Sequence, residues 1–136
     1  MTAGAGARWL ADHLEQPAHN LEQPAVQGGQ PVVGVDLAAL LVRDPRCTLL
    51  LRVSGPSMQG AGIDDGDLLL VDCGLDPRPG HVVLARLADG FTVKRLVRAG
   101  GGLALAAAHP AYPLLPLAPD GDHQLLGVAR HVIRRG

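Results

Sequence analysis

Residues 51–72 read LRVSGPSMQGAGIDDGDLLLVD, and this stretch determines the interpretation of the chain. Apolar residues at 48–53 predict one strand, and those at 67–71 predict a second, buried one. The intervening segment is rich in glycine, and Asp64-Asp65-Gly66 is typical of a turn. The stretch therefore predicts two short strands joined by a long loop that contains Ser57.

The flanking sequence predicts more short strands. They are expected at 81–87, 91–97, 103–107 and 125–133. The first two form a hairpin across Asp89-Gly90, and a proline-rich loop follows at 110–119. One short helix is expected, capped by Asp36 and ending at Leu41 or Val42. Short strands separated by glycine and proline turns predict a mostly-β domain with a closed or strongly coiled sheet.

The first 34 residues differ from the rest and predict a flexible N-terminal arm. They hold an imperfect repeat, LEQPA at 14–18 and again at 21–25, followed by GGQP at 28–31. Proline and glycine at these positions interrupt any long helix. We therefore divide the chain into an arm, residues 1–34, and a compact domain, residues 35–136.

Composition excludes several classes of protein. The net charge of −1 gives the whole molecule no electrostatic attraction to nucleic acid, so no direct sequence-specific DNA binding is expected. The chain has no apolar run long enough to cross a membrane and no apolar signal core at its start, which predicts a cytoplasmic protein. The two cysteines and six histidines lack ligand spacing, so neither a metal nor a cofactor is predicted.

Serine and lysine are usually among the commonest residues of a protein, but they are rare in this chain. The chain has two serines, Ser54 and Ser57, and one lysine, Lys94, against eleven arginines. Lysine can lose its proton near neutral pH when it is buried, whereas arginine cannot. In the strand at 91–97, alternation places Lys94 on the same face as Thr92 and Leu96, which are uncharged. These features are compatible with a lysine base that activates a serine nucleophile. On these features alone, however, a turn serine and a solvated lysine are the more usual interpretation.

Several boxes of sequence in the same order resemble the LexA/UmuD family of self-cleaving serine peptidases. Ser54-Gly-Pro-Ser-Met58 with the following Gly66-Asp67 resembles the nucleophile box, and FTVKRL at 91–96 resembles the box with the base. The interval of 37 residues between Ser57 and Lys94 is similar to that of the family. The resemblance covers about residues 36–135. It implies a coiled β-sheet domain like that of LexA and signal peptidases, with Ser57 as nucleophile and Lys94 as general base.

Within the family, the chain resembles the UmuD-type subunit of an error-prone translesion DNA polymerase, because only about 35 residues precede the peptidase boxes. This resemblance implies a role in the SOS response and in SOS mutagenesis. It also implies a homodimer that cleaves its own arm when a RecA–single-stranded-DNA filament stimulates it, and that then binds a Y-family DNA polymerase. Two alternatives stay open: a catalytically silent, dimeric polymerase-binding module, and a Ser–Lys peptidase that acts on another repressor-like protein.

The segment that resembles the family's cleavage site departs from the family pattern. The best match places the cut between Gly28 and Gly29, where the family commonly has alanine or cysteine before glycine. The connection from this bond to Asp36 is also shorter by several residues, which removes on the order of 20 Å of reach. Cleavage by a dimer partner, cleavage at a different bond and a simple linker role for the two glycines are the alternatives. Pro56, before the nucleophile, stands where UmuD often has an acidic residue.

Charged residues outside these boxes are interpreted as solvent-exposed. Asp64, Asp65 and Asp67 predict a solvated acidic turn rather than a cation site. The arginines at 130, 134 and 135 predict a basic, solvated end of the chain, with contact to a polymerase or filament as the alternative.

Overall fold

The computed structural model describes Gly29 and residues 34–136, and the chain divides into two units after Leu40. Gly29 is exposed, and Gly28 with most of the predicted arm lies outside the described residues. Asp36 precedes helix α1 (Leu37–Leu41) and accepts a hydrogen bond from the Ala39 N–H at 3.2 Å. This is the contact of an N-cap, so the predicted start and end of the helix are confirmed.

The second unit is built around one antiparallel sheet. Its strands are β1 (Thr48–Arg52), β2 (Leu68–Asp72), β3 (Val82–Leu87), β4 (Gly90–Ala99), β5 (Gly102–Ala106), β6 (Leu115–Leu117) and β7 (Gln124–Ile133). They lie side by side in the order β1-β2-β7-β3-β4-β5-β6. Short 3-10 helices occur at Pro45–Cys47 and Gln59–Ala61. The predicted mostly-β class is confirmed.

Two details of the predicted strands are wrong. The segment 110–119, expected to be a loop, contains β6, which pairs with β5 at the edge of the sheet. An edge strand tolerates Pro116 because one side of its backbone has no neighbouring strand. In the β3–β4 hairpin, Leu87 pairs with Gly90, so the two-residue turn begins one residue earlier than predicted. Gly90 opens β4 with φ at +134°, a conformation that residues with a side chain rarely adopt.

Strand β3 lies between two groups of buried side chains because its residues alternate between the two faces of the sheet. Leu84 packs with Met58, Ile63, Leu69 and Val71. Val83 and Ala85 pack on the other face with Leu96 and Leu105. Met58 is 1% exposed and directly follows Ser57, so the first group anchors the loop that carries the serine.

One residue of the acidic turn after this loop, Asp67, is not solvated as predicted, whereas Asp65 is exposed. Asp67 is 3% exposed, and the guanidinium of Arg134 donates to both of its carboxylate oxygens, with Nε 2.8 Å from Oδ1. Arg134 also pairs with Asp64 and donates to the carbonyl of Gly62 at 3.0 Å. The pairing of Leu68 with Ile133 between β2 and β7 explains the contact, because the next residues outward are Asp67 and Arg134.

This ion pair predicts a dependence of stability on pH. Hydrogen bonds from Arg134 lower the pKa of Asp67 from 3.8 to about 2. The stabilisation is therefore present above about pH 3.8 and is lost as the pH falls through about 2. Arg134→Gln is expected to unfold at lower urea concentration at pH 7, and to lose less of its remaining stability on acidification to pH 3. Arg135→Gln, a change at the exposed neighbouring arginine, is the control, and equal effects of the two would contradict the account.

Candidate active site

Ser57 lies in the loop between β1 and β2, and contacts on both sides of the residue fix the loop. The base of the loop is closed by backbone hydrogen bonds from Val53 to Asp67 (2.8 Å) and from Gly66 to Val53 (2.8 Å). Before the serine, the Gly55 N–H donates to Asp65 Oδ1 at 2.8 Å. After it, Met58 is buried in the core. The hydroxyl is therefore presented from a loop that is held by hydrogen bonds and packing on both sides of Ser57.

A second segment of backbone pairs with the loop at Ala108. The Ala108 N–H donates to the Ser57 carbonyl, and the Ala108 carbonyl accepts from the Gly60 N–H, both at 2.8 Å. Glycine is required at position 60 because a Cβ there would lie 2.7 Å from the Ala108 oxygen. The two backbone segments thus lie closer together than a side chain at position 60 would allow, and Ala108 helps to hold the loop that carries Ser57.

Lys94 extends from the middle of β4, where it pairs with Val83 of β3, and it is 8% exposed. Its Nζ lies 3.0 Å from Ser57 Oγ, 2.6 Å from Thr92 Oγ1 and 3.2 Å from the Val93 carbonyl oxygen. The structure therefore brings together the two residues that the sequence singled out. Thr92 contacts the amine because it lies two residues earlier on the same face of the strand.

These three partners define how a neutral Lys94 would be oriented. A neutral amine has two N–H donors and one lone pair, and the Val93 carbonyl can only accept. If Thr92 and Val93 each accept one N–H, the lone pair faces the Ser57 hydroxyl. Burial lowers the pKa of Lys94 from its ordinary value of 10.5, because a less polar surrounding disfavours the ammonium. No carboxylate among residues 34–136 forms an ion pair with Lys94 that would oppose this effect.

An apolar cleft of about 420 Å³ opens beside the two side chains. Besides Ser57 and Lys94, its walls include Leu49, Leu51, Val53, Leu84, Val93 and Leu126. The N–H groups of Ser57 and Met58 donate to no acceptor within the described residues. A polypeptide that entered the cleft would therefore meet a serine hydroxyl, its lysine partner and backbone N–H groups available to an oxyanion.

The profile of the family described as Peptidase S24-like matches residues 15–130. The chain belongs to this family. The matched region includes the loop with Ser57, strand β4 with Lys94 and most of the sheet.

Among the relatives of this chain are three proteins named LexA repressor. The protein of Halorhodospira halophila is 47% identical over 91 residues, which are 66% of this chain and 40% of that protein. That of Delftia acidovorans is 47% identical over 85 residues, 62% of this chain and 38% of its own. That of Burkholderia cenocepacia is 47% identical over 88 residues, 64% of this chain and 41% of its own. The chain thus spans about two fifths of the length of these relatives, and their names do not support the specific resemblance to UmuD.

Three other features considered from the sequence are the cleavage bond, a metal site and a membrane-spanning helix. Gly28 lies outside the described residues, so the predicted cut beside it stays a prediction. No group of three potential metal ligands occurs in the described part of the chain. Among the helices of that part, none has the length and apolar character needed to cross a membrane.

Thr92 is a site residue that the sequence did not assign. Its position two residues before Lys94 on the same strand face was visible, but its short contact with Nζ required the side-chain geometry. In this S24-like site its hydroxyl is the shortest contact of Lys94.

Replacement of Thr92 by valine tests its contribution. The variant keeps the shape of the side chain but removes one acceptor from Lys94, so the amine is held less firmly toward Ser57. If Lys94 activates Ser57 for self-cleavage, that reaction should slow by roughly tenfold, the equivalent of one hydrogen bond. Thr48→Val removes a hydroxyl that donates to the Asp44 carbonyl away from the cleft, and it serves as the matched control. Equal cleavage rates for the two variants would contradict this role.

Proposed function

We propose that the chain is a self-processing serine peptidase in which Ser57 is the nucleophile and Lys94 the general base. The observation that carries this proposal is the 3.0 Å contact between Lys94 Nζ and Ser57 Oγ at the wall of an apolar cleft. A buried lysine with a lowered pKa can accept the serine proton near neutral pH, which arginine cannot do.

The proposed reaction follows from the positions of these groups. Ser57 Oγ transfers its proton to Nζ and attacks the peptide carbonyl carbon, and backbone N–H groups stabilise the oxyanion. The Lys94 ammonium then gives its proton to the leaving amine as the C–N bond breaks, which leaves an acyl ester on Ser57. Neutral again, Lys94 takes a proton from water, the resulting hydroxide hydrolyses the ester, and the proton returns to Ser57.

The proposed substrate is the arm of the chain itself, with the bond between Gly28 and Gly29 as the first candidate. Small residues at the bond allow an extended backbone to approach the serine closely. The short connection to residue 36 favours attack by a second copy of the chain over attack within one chain.

Mass spectrometry of the purified chain after incubation at alkaline pH, or with a RecA–single-stranded-DNA filament, tests the activity and the bond together. We expect a new amino terminus in the arm that is absent from Ser57→Ala. A mass-tagged Ser57→Ala chain mixed with untagged active chain distinguishes the two routes, because only attack by another copy shortens the tagged chain. Absence of any Ser57-dependent product would refute the peptidase.

For the cellular role, we propose a homodimer of the SOS response that acts, after trimming, as accessory subunit of a Y-family translesion polymerase. It is supported by the resemblance of the boxes around Ser57 and Lys94 to the LexA/UmuD family. A chromosomal Ser57→Ala variant is expected to lose damage-induced mutagenesis. Unchanged mutagenesis would favour the silent polymerase-binding module.

A second candidate, a peptidase that regulates a repressor-like protein, is favoured by the names of the relatives. In that case Ser57→Ala would block induction of damage-response genes, and mutagenesis would change only as a consequence. Measuring transcription and mutagenesis in the same strain separates the two roles.

A further inference from the structure

A second cavity, of about 340 Å³, lies beside Lys94 and is distinct from the apolar cleft that Ser57 lines. The two cavities share Phe91, Thr92 and Lys94, whereas Tyr112 and Pro113 line only the second. Lys94 therefore faces two openings, and Tyr112 contributes to the wall of the second one. The Nζ of Lys94 is 5.9 Å from the centroid of the Tyr112 ring.

The turn that carries Tyr112 is anchored at both ends. Ala108 pairs with the loop of Ser57 through two backbone hydrogen bonds, as described above, and Leu115 of β6 pairs with Leu105 of β5. Between these anchors, the Tyr112 N–H donates to the His109 carbonyl at 3.2 Å, and the Ala111 N–H donates to His109 Nδ1 at 3.0 Å. The chain is thus held where it connects the nucleophile loop to the ring beside the base.

The orientation of the ring is set by His109. The two ring centroids are 5.3 Å apart and their planes are perpendicular, the edge-to-face arrangement that aromatic pairs prefer. Tyr112 nevertheless remains 40% exposed, so its ring forms part of the wall of the second cavity rather than of the core.

We propose that Tyr112 is a positioning residue for Lys94, whose ring shields the amine from water in the second cavity and keeps it directed at Ser57. This inference rests on the proposed function and deepens it, because it adds the turn at 108–112 to the machinery of the base.

Two effects of the ring on Lys94 oppose each other. Exclusion of water favours the neutral amine, whereas attraction between the ring face and an ammonium favours the charged form. The distance of 5.9 Å is close to the limit of about 6 Å for that attraction, so exclusion of water is the larger effect. Removal of the ring is therefore expected to raise the pH at which Lys94 loses its proton.

Other charged or titratable groups near the amine could also affect its protonation, and their effects must be distinguished from that of the ring. Ser57 faces Lys94 from the nucleophile loop, and Arg52 of β1 lines the apolar cleft. Asp89 lines the second cavity, and His109 contacts Tyr112 from the same turn. His109 is the one in direct contact with the Tyr112 ring, so it needs its own control.

The single lysine of the chain makes the test direct. Chain labelled with carbon-13 lysine gives one lysine side-chain signal, whose titration reports Lys94 without any cleavage. In a Ser57→Ala background, Tyr112→Ala is expected to raise the titration midpoint by roughly one pH unit. Tyr112→Phe retains the ring and is expected to restore the original midpoint. The shift caused by Tyr112→Ala should persist in a His109→Asn background, which retains an acceptor for the Ala111 N–H.

Cleavage by chains with an intact Ser57 completes the test. Tyr112→Ala is expected to cleave about tenfold more slowly at neutral pH and to recover the parental rate at alkaline pH, where the amine is neutral in both. A midpoint that does not move, or a rate loss that alkaline pH does not restore, would overturn the proposal. A shifted midpoint in a chain that never cleaves would support the role of Tyr112 and refute the peptidase, so the two failures are distinguishable.

Discussion

Lys94→Arg is expected to slow self-cleavage strongly at every pH at which the chain is folded. Arginine keeps the positive charge and much of the length of lysine, but it does not release its proton in proteins. The variant therefore retains any structural role of a cation and loses only the base. The expected loss of rate is about 10²–10⁴-fold, the usual contribution of a positioned acid or base.

The measurement is a series of incubations from neutral to alkaline pH, followed by mass spectrometry of the products. Arg98→Lys is the matched control, because Arg98 is exposed on the same strand, and the change adds a lysine without altering Lys94. Circular dichroism confirms that both variants keep the sheet. Ser57-dependent shortening of Lys94→Arg would show that the lysine is not the base.

Ser57→Ala is expected to have the largest effect of all, a loss of cleavage of at least about 10³-fold at any pH. The side chain that remains cannot form the acyl ester, whereas Lys94 keeps its contacts with Thr92 and Val93. Within residues 34–136 the hydroxyl of Ser57 forms a hydrogen bond with no side chain but that of Lys94, so stability should change little.

Ser54→Ala is the control for this variant, since Ser54 is the other serine of the chain and lines the same cleft. It lies three residues earlier and makes no hydrogen bond with Lys94. We expect Ser54→Ala to keep cleaving. Loss of activity in Ser54→Ala together with retention in Ser57→Ala would show that Ser54, and not Ser57, is the nucleophile.

Much of the fold follows from local sequence. The strands on either side of the Ser57 loop, the β3–β4 hairpin and the last strand were all predicted, because each combines apolar residues with glycine, proline or aspartate at its ends. Strand β6 was missed because Leu115-Pro116-Leu117 contains a proline, which normally argues against a strand. Its edge position removes that objection, and an edge position cannot be recognised before the strand order is known.

Some features of the candidate site could likewise be predicted from local sequence, and others could not. Alternation along β4 predicted that Lys94 shares a face with uncharged neighbours, and the structure places Thr92 at its amine. The approach of Tyr112 depends on the pairing of Ala108 with the Ser57 loop, which leaves no periodic signal. The Asp67–Arg134 pair likewise depends on the pairing of β2 with β7 across 67 residues of sequence. Neither contact could be predicted from the sequence, because each requires knowledge of which distant segments are neighbours.

The central claim is that the neutral amine of Lys94 activates Ser57, and the pH dependence of cleavage compared with the titration of Lys94 tests it most directly. Because burial lowers the pKa of this lysine, the cleavage rate should rise with pH below the ordinary value of 10.5. The account predicts that the midpoint of that rise coincides with the midpoint of the single lysine signal in Ser57→Ala. A cleavage rate that does not follow the deprotonation of Lys94 would contradict the account, and so would a lysine that stays charged throughout the active range.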